Sequence, residues 1–126
     1  MAITAFASAK HLNKDFGQTN YTPPATWYVA LRHLGAELTG SNYSRIAITN
    51  DTTNWPVITA NIMANGVAFT TPTASGGDWL EADEAVLYDA PTGGNAWYEE
   101  PVDEPFTVLN GQARNFDIGA LRIRFT

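Results

Sequence analysis

Cysteine is absent from the 126 residues, so the chain has no disulfide staple, no thiol nucleophile and no thiolate metal ligand. Basic residues are scarce: seven Lys and Arg against thirteen Asp and Glu give a formal charge of −6. That balance argues against nucleic acid as a partner, because phosphate recognition needs a cationic footprint. His11 and His33 are the only histidines, and no serine lies in a Gly-x-Ser-x-Gly elbow, which leaves little for nucleophilic catalysis. Gly76-Gly77 and Gly93-Gly94 lack a following Lys-Ser/Thr and a helix start, so they read as turns rather than phosphate loops. Long apolar runs and heptads are missing too, so neither a membrane span nor a coiled-coil shaft is expected. Met1 to Phe6 shows no basic region leading into an apolar stretch. No signal peptide is therefore expected, and the protein is expected to be made and assembled in a cytoplasm.

What is present is a core. With 44% hydrophobic and 12% aromatic residues, a chain of this length can bury enough apolar surface to fold as one domain without a staple. Residues 21 to 31, YTPPATWYVAL, carry the clearest local signal. Pro23 and Pro24 fix φ, remove two backbone donors and hold the preceding residues extended. Thr26 to His33 then reads as a strand, with Trp27, Val29 and Leu31 on one face and Tyr28, Ala30 and Arg32 on the other. Since a double proline marks a sheet boundary, residues 1–20 are expected to form a separate helix or arm, and residues 21–126 a single β-domain. Within the first segment Ile3, Phe6, Ala7 and Lys10 fall at helical spacing, as do Leu12 and Phe16, with Gly17 as a stop.

Further candidate strands are residues 44–49, 67–71, 84–88, 96–99, 106–109 and 120–125, each short and bounded by Gly, Pro, Asn or Asp. The spacing of turn signals predicts an all-β, antiparallel β-sandwich of jelly-roll-like type. Asp89 to Asn95 is expected as a hairpin loop using its glycines at positive φ, and Asn110-Gly111 as a compact turn. In the last strand Leu121, Ile123 and Phe125 should face inward, and Arg122 and Arg124 outward, beside acids of this chain or of another subunit.

Charge is unevenly placed. No Lys or Arg occurs between Ile46 and Ala113, whereas ten of the thirteen acids fall there, nine of them in Asp78–Glu104. That segment reads as a solvated acidic face, a docking surface for a basic partner or a weak cation site. Asp78, Glu81, Asp83 and Glu84 supply oxygen ligands suited to Ca²⁺, but EF-hand spacing is missing. Glu99-Glu100 and Asp103-Glu104 are paired carboxylates of the type used in glycoside hydrolysis. Sequence neighbours on a strand point to opposite faces, however, so no catalytic residue, metal or cofactor is expected. Trp27 and Trp97 lie in expected strands and read as core. Trp55 and Trp79 lie in loops; exposed there, the rings would anchor an interface or stack on a sugar, and packing or an interface is favoured over sugar stacking.

Several motifs occur in order: YTPPATWYVAL at 21–31, GSNYSRIAIT at 40–49, NWP at 54–56, VAFTTPTA at 67–74, Trp79, AVLYDAPTGGN at 85–95, and a hydrophobic closing strand. The series resembles a family of small tailed-bacteriophage virion proteins, often labelled tail fibre proteins, and spans nearly everything from Tyr21 onward. The departures are a short loop at Arg32–Gly40, Asp78-Trp-Leu80 where the family has Asp-Trp-Gly, and the acidic Glu99–Glu104. All lie where loops would meet partners. The resemblance implies a structural, non-enzymatic component of the virion, either a fibre or appendage subunit or a capsid decoration protein. Its implied partners are other copies of itself, a trimer included, and other capsid or tail proteins, with no nucleic acid or membrane. Ile3, Phe6, Leu12, Phe16, Trp55, Trp79, Arg122 and Arg124 are the candidate interface residues. The alternative reading is a carbohydrate-binding module for host attachment, resting on Trp55 and Trp79.

Overall fold

The computed structural model describes residues 2–59 and 62–124. It is an all-β fold of antiparallel sheets with one short helix. Strand β1 (Ala2–Ile3) and helix α1 (Ala5–Asp15) open the chain. They are followed by β2 (Thr26–His33), β3 (Ala36–Glu37) and β4 (Ile46–Thr49). Next come β5 (Val57–Thr59), β6 (Ile62–Ala64) and β7 (Phe69–Thr70). Two long strands, β8 (Ala82–Tyr88) and β9 (Ala96–Phe106), precede the short β10 (Asn115–Phe116) and β11 (Arg122–Arg124).

The main sheet runs β1-β9-β8-β2-β3, with β4 also on β2; beside it lie a pair, β10-β7, and a three-stranded sheet, β11-β6-β5. β2 matches the expected span, and its inward Trp27, Val29 and Leu31 are all buried. Two partners share its outer edge. β4 pairs with Thr26 to Val29 and β3 with Arg32 and His33. The gap between them is bridged by the Tyr43 hydroxyl, which accepts from the Leu31 N–H at 3.0 Å, and by the Leu38 N–H donating to the Leu31 carbonyl. A buried edge therefore keeps its hydrogen bonds without a continuous third strand.

β2 turns into β3 through Leu34 (φ 48) and Gly35 (φ 84). Two positive φ values in a two-residue hairpin match the strand twist, a geometry that glycine adopts freely and leucine does not. The β8–β9 loop also forms as expected: Asp89 and Asn95 close it by backbone and side-chain bonds, with Gly93 and Gly94 at positive φ. So does the turn at Asn110-Gly111.

Three expectations change. The stretch 106–109 is no strand; Phe106 ends β9, and Val108 only receives the Trp79 N–H. The β5–β6 hairpin lies where no strand was expected. The first 20 residues are not set apart as an arm, because β1 pairs with Tyr98 and Glu99 of β9. The expected helix is there, capped by Thr4, whose hydroxyl accepts from the Ala7 N–H and donates to the Ala96 carbonyl. One side chain thus satisfies a helix N-terminus and fastens it to the sheet. Ala7 is fully buried, and Phe6 meets Trp97 edge-to-face with centroids 5.2 Å apart. Pro23-Pro24 accordingly joins α1 to β2 within one core. Phe125 lies outside the described residues.

Candidate interaction surface

The outer face of the main sheet holds a connected polar network. Its members come from alternate positions of neighbouring strands, which the pleat places side by side. Arg32 on β2 bonds Glu84 on β8 and Glu99 on β9, each at 3.0 Å, and the Tyr88 hydroxyl at 2.8 Å. Burial disfavours its charge, but the hydroxyl and the two carboxylates more than offset that and hold the guanidinium firmly protonated. Arg45 forms a bidentate pair with Glu37 at 2.8 and 2.9 Å, donates to the carbonyls of Ala90 and Gly93, and stacks 3.7 Å above the Tyr88 ring. Burial works against the Glu37 carboxylate, yet Arg45 and the Tyr43 hydroxyl hold its pKa below the usual range. Every charge named here has a partner, so the network braces the sheet.

The acidic segment is therefore not one negative face. Glu84 and Glu99 belong to the network just described. Asp83 accepts from the Leu34 N–H, Asp78 from the Asn110 N–H, and Asp89 from the Asn95 N–H and the Trp97 indole. Burial pushes the Asp89 pKa up, but these donors hold it below the ordinary carboxylate value. Alternation along β8 and β9 scatters the carboxylates to both faces and both ends of the sheet. Among the described residues, no three His, Asp or Glu side chains come together as metal ligands.

Glu100, Asp103 and Glu104 line a cleft of about 690 Å³ with Val102, Phe106, Arg114, Phe116, Leu121 and Arg122. Arg114 sits 4.6 Å over the Phe106 ring, which meets Phe116 edge-on. Arg122 and the acids thus share one cleft, within one molecule.

The candidate interface residues fall into three groups. Ile3 and Phe6 are half-buried against the core. Trp55 and Trp79, whose loop positions leave packing and exposure both open, are 5% and 4% exposed and so are packed. Trp79 donates its indole N–H to the Ser41 carbonyl and packs on Tyr43. These rings are core, filled from loops that fold back over the sheet. They offer nothing for a sugar to stack on, so the observation behind a carbohydrate-binding module is removed. Leu12, Phe16 and Arg122 are exposed, and the side chain of Arg124 is outside the described set.

The missed feature is the β5–β6 hairpin. Val57, Ile58 and Met63 are 61%, 47% and 42% exposed. Asn65, just beyond β6, fixes its base. Its amide donates to the carbonyls of Val67 and Asp117 and accepts from the Leu121 N–H, all within 3.0 Å. The available signal was a run free of charge between Asp51 and Asp78 that nevertheless contains large apolar residues.

A family model described as "Podophage GP4 fiber I protein gp80" matches residues 2–124. No curated protein matches the chain.

Proposed function

The chain belongs to the podophage GP4 fiber I protein gp80 family, a phage fibre-type structural family and so a component of the virion; on that premise we propose that it is a non-enzymatic subunit which self-associates and attaches to the particle through protein–protein contacts. The match over nearly the full length carries this reading, because the matched region is the whole folded unit rather than one motif. Of the paired carboxylates, Glu99 is engaged by Arg32, while Glu100, Asp103 and Glu104 line the cleft beside Arg114 and Arg122. Its neighbours are other copies of itself and proteins of the tail or capsid, and assembly takes place in the host cytoplasm. An appendage subunit is the favoured form, with capsid decoration the neighbouring one.

The test is to purify particles made with and without the protein and to image both by cryo-electron microscopy. Density present only in the first, and restored by adding purified protein to the second, is the expected result. Its position separates an appendage from a capsid decoration. Absence of the protein from purified particles overturns the proposal.

A further inference from the structure

We propose that Asn110 is a site of spontaneous deamidation, and that the fold shields the same dipeptide at Asn65-Gly66 from that reaction. The pair Asn-Gly occurs twice in the chain, at 65–66 and 110–111. Asparagine is among the thermolabile residues. A following glycine exposes it most, because no side chain keeps the glycine nitrogen away from the asparagine Cγ. At Asn110 the deprotonated Gly111 nitrogen attacks Cγ. A C–N bond forms, the side-chain amide leaves as ammonia, and a cyclic succinimide closes. Water then opens the ring. Cleavage of the Cγ–N bond gives aspartate, and cleavage between the backbone carbonyl and that nitrogen gives isoaspartate. The balance is amide plus water to carboxylate plus ammonium, with nothing oxidised or reduced.

The two sites are alike in sequence and opposite in structure. Residues 109–115 are all exposed. Gly111 takes φ 85 in a turn closed by the Gln112 N–H on the Leu109 carbonyl at 2.9 Å, and the space beside its Cα is open. Among the described residues the Asn110 side chain has no hydrogen-bond partner. Two backbone bonds hold the pair: the Asn110 N–H donates to the Asp78 carboxylate at 2.7 Å, and the Gly111 N–H to the Ala74 carbonyl at 2.8 Å. The second must break before the nitrogen reacts, so the folded turn is slower than an open chain. Exposed turns open at the low end of a protein's stability range, however. Asn65 is 1% exposed, and its amide carries three hydrogen bonds. The Gly66 N–H donates to the Asn54 carbonyl at 2.7 Å, and a Cβ on Gly66 would overlap the Thr53 carbonyl and the Pro56 ring. That nitrogen reaches Cγ only if the packed base of the three-stranded sheet comes apart. At Asn110 the product adds a negative charge to a molecule at −6, on the residue whose N–H already bonds Asp78. Isoaspartate also lengthens the backbone of the turn.

The experiment is to hold the full chain in warm, mildly alkaline buffer, folded and in concentrated urea, and to map its peptides by mass spectrometry at intervals. In urea both asparagines should convert at similar rates. In the folded chain Asn110 should convert to aspartate and isoaspartate, while Asn65 should slow on the order of 100-fold, the scale of a reaction that waits for buried structure to open. Anion exchange should resolve a more acidic form that accumulates with time and is missing from Asn110→Ser. Asn110 that stays intact in the folded chain while converting in urea overturns the inference. So does Asn65 converting as fast as Asn110 in the folded chain, or an acidic form that persists in Asn110→Ser. The map is made on the wild type, so it decides the matter whether or not the variant folds, and independently of where the protein sits on a particle.

Discussion

Replacing Asn65 by Ala isolates what holds the small three-stranded sheet in place. The side chain is 1% exposed and makes three hydrogen bonds: two donated, at 3.0 and 2.9 Å, and one accepted, at 2.9 Å. Each intramolecular bond contributes about 0.5–1.5 kcal/mol net. Alanine removes all three and leaves the Val67 carbonyl and the Leu121 N–H without this partner, while the Asp117 carbonyl keeps the Ala120 N–H. The expected loss is about 3 kcal/mol, since water can reach some of the vacated partners. For a domain of this size that corresponds to a drop in Tm on the order of 10–15 °C. Urea titration followed by tryptophan fluorescence gives the free energy, and calorimetry gives the Tm. Asn65→Asp sharpens the test, because it keeps the acceptor but turns a carboxylate toward two carbonyl oxygens. Its folded pKa should then rise above the unfolded value of about 3.9. A raised folded pKa means stability that is fully present below the unfolded pKa and lost as pH rises through the folded one. The Asp variant should therefore approach wild-type stability only in acid. A loss below about 1 kcal/mol for Asn65→Ala, or an Asp variant with the same pH profile as wild type, refutes the role assigned to this residue.

Deleting residues 1–20 should unfold or aggregate the protein, because it uncovers the β9 edge and removes the cap and Phe6 from Trp97; a cooperative melt near the wild-type temperature would contradict this. Leu34→Asn should stabilise the protein by about 1 kcal/mol, because leucine is strained at positive φ and asparagine is less so; a lower Tm would show that Leu34 makes a contact worth that strain. Arg32→Ala leaves Glu84 and Glu99 without their shared cation and should cost about 2 kcal/mol, a value discounted for their partial exposure; an unchanged urea midpoint would remove the network from the account of stability. Burial, with a smaller contribution from Tyr21, pushes the Tyr98 pKa up to about 12. Between its ordinary value near 10 and that raised value Tyr98 ionises only in the unfolded chain, so its contribution to stability should be intact below the lower pH and fall through the window; a wild type that loses no more stability there than Tyr98→Phe would contradict the assignment.

Strand β2, the loop from Asp89 to Asn95, the turn at Asn110-Gly111 and the stop at Gly17 were legible in the sequence. Each depends on a local rule: alternation, fixed φ at proline or positive φ at glycine. The β5–β6 hairpin was not legible. Val57, Ile58 and Thr59 are all exposed, so there is no inward–outward alternation to read. For Trp55 and Trp79 the choice between packing and exposure was not legible, because a loop position says nothing about which way the loop folds; both are buried. Asn65 gave no signal, since its partners lie two, fifty-two and fifty-six residues away.

By itself the sequence determined the β class, the lack of disulfide or thiol chemistry, the acidic balance and the ordered motif series that resembles phage virion proteins. These follow from composition and short-range pattern, which need no knowledge of what lies opposite. Tertiary structure decided the rest. It joined β1 to the sheet and packed α1 beside β9, divided the acidic segment among an arginine network, backbone donors and a cleft, buried two tryptophans and left an uncharged strand pair exposed. Burial and pairing are properties of residues far apart in the chain, so only the folded arrangement shows which apolar residues have been used and which remain free to meet a partner.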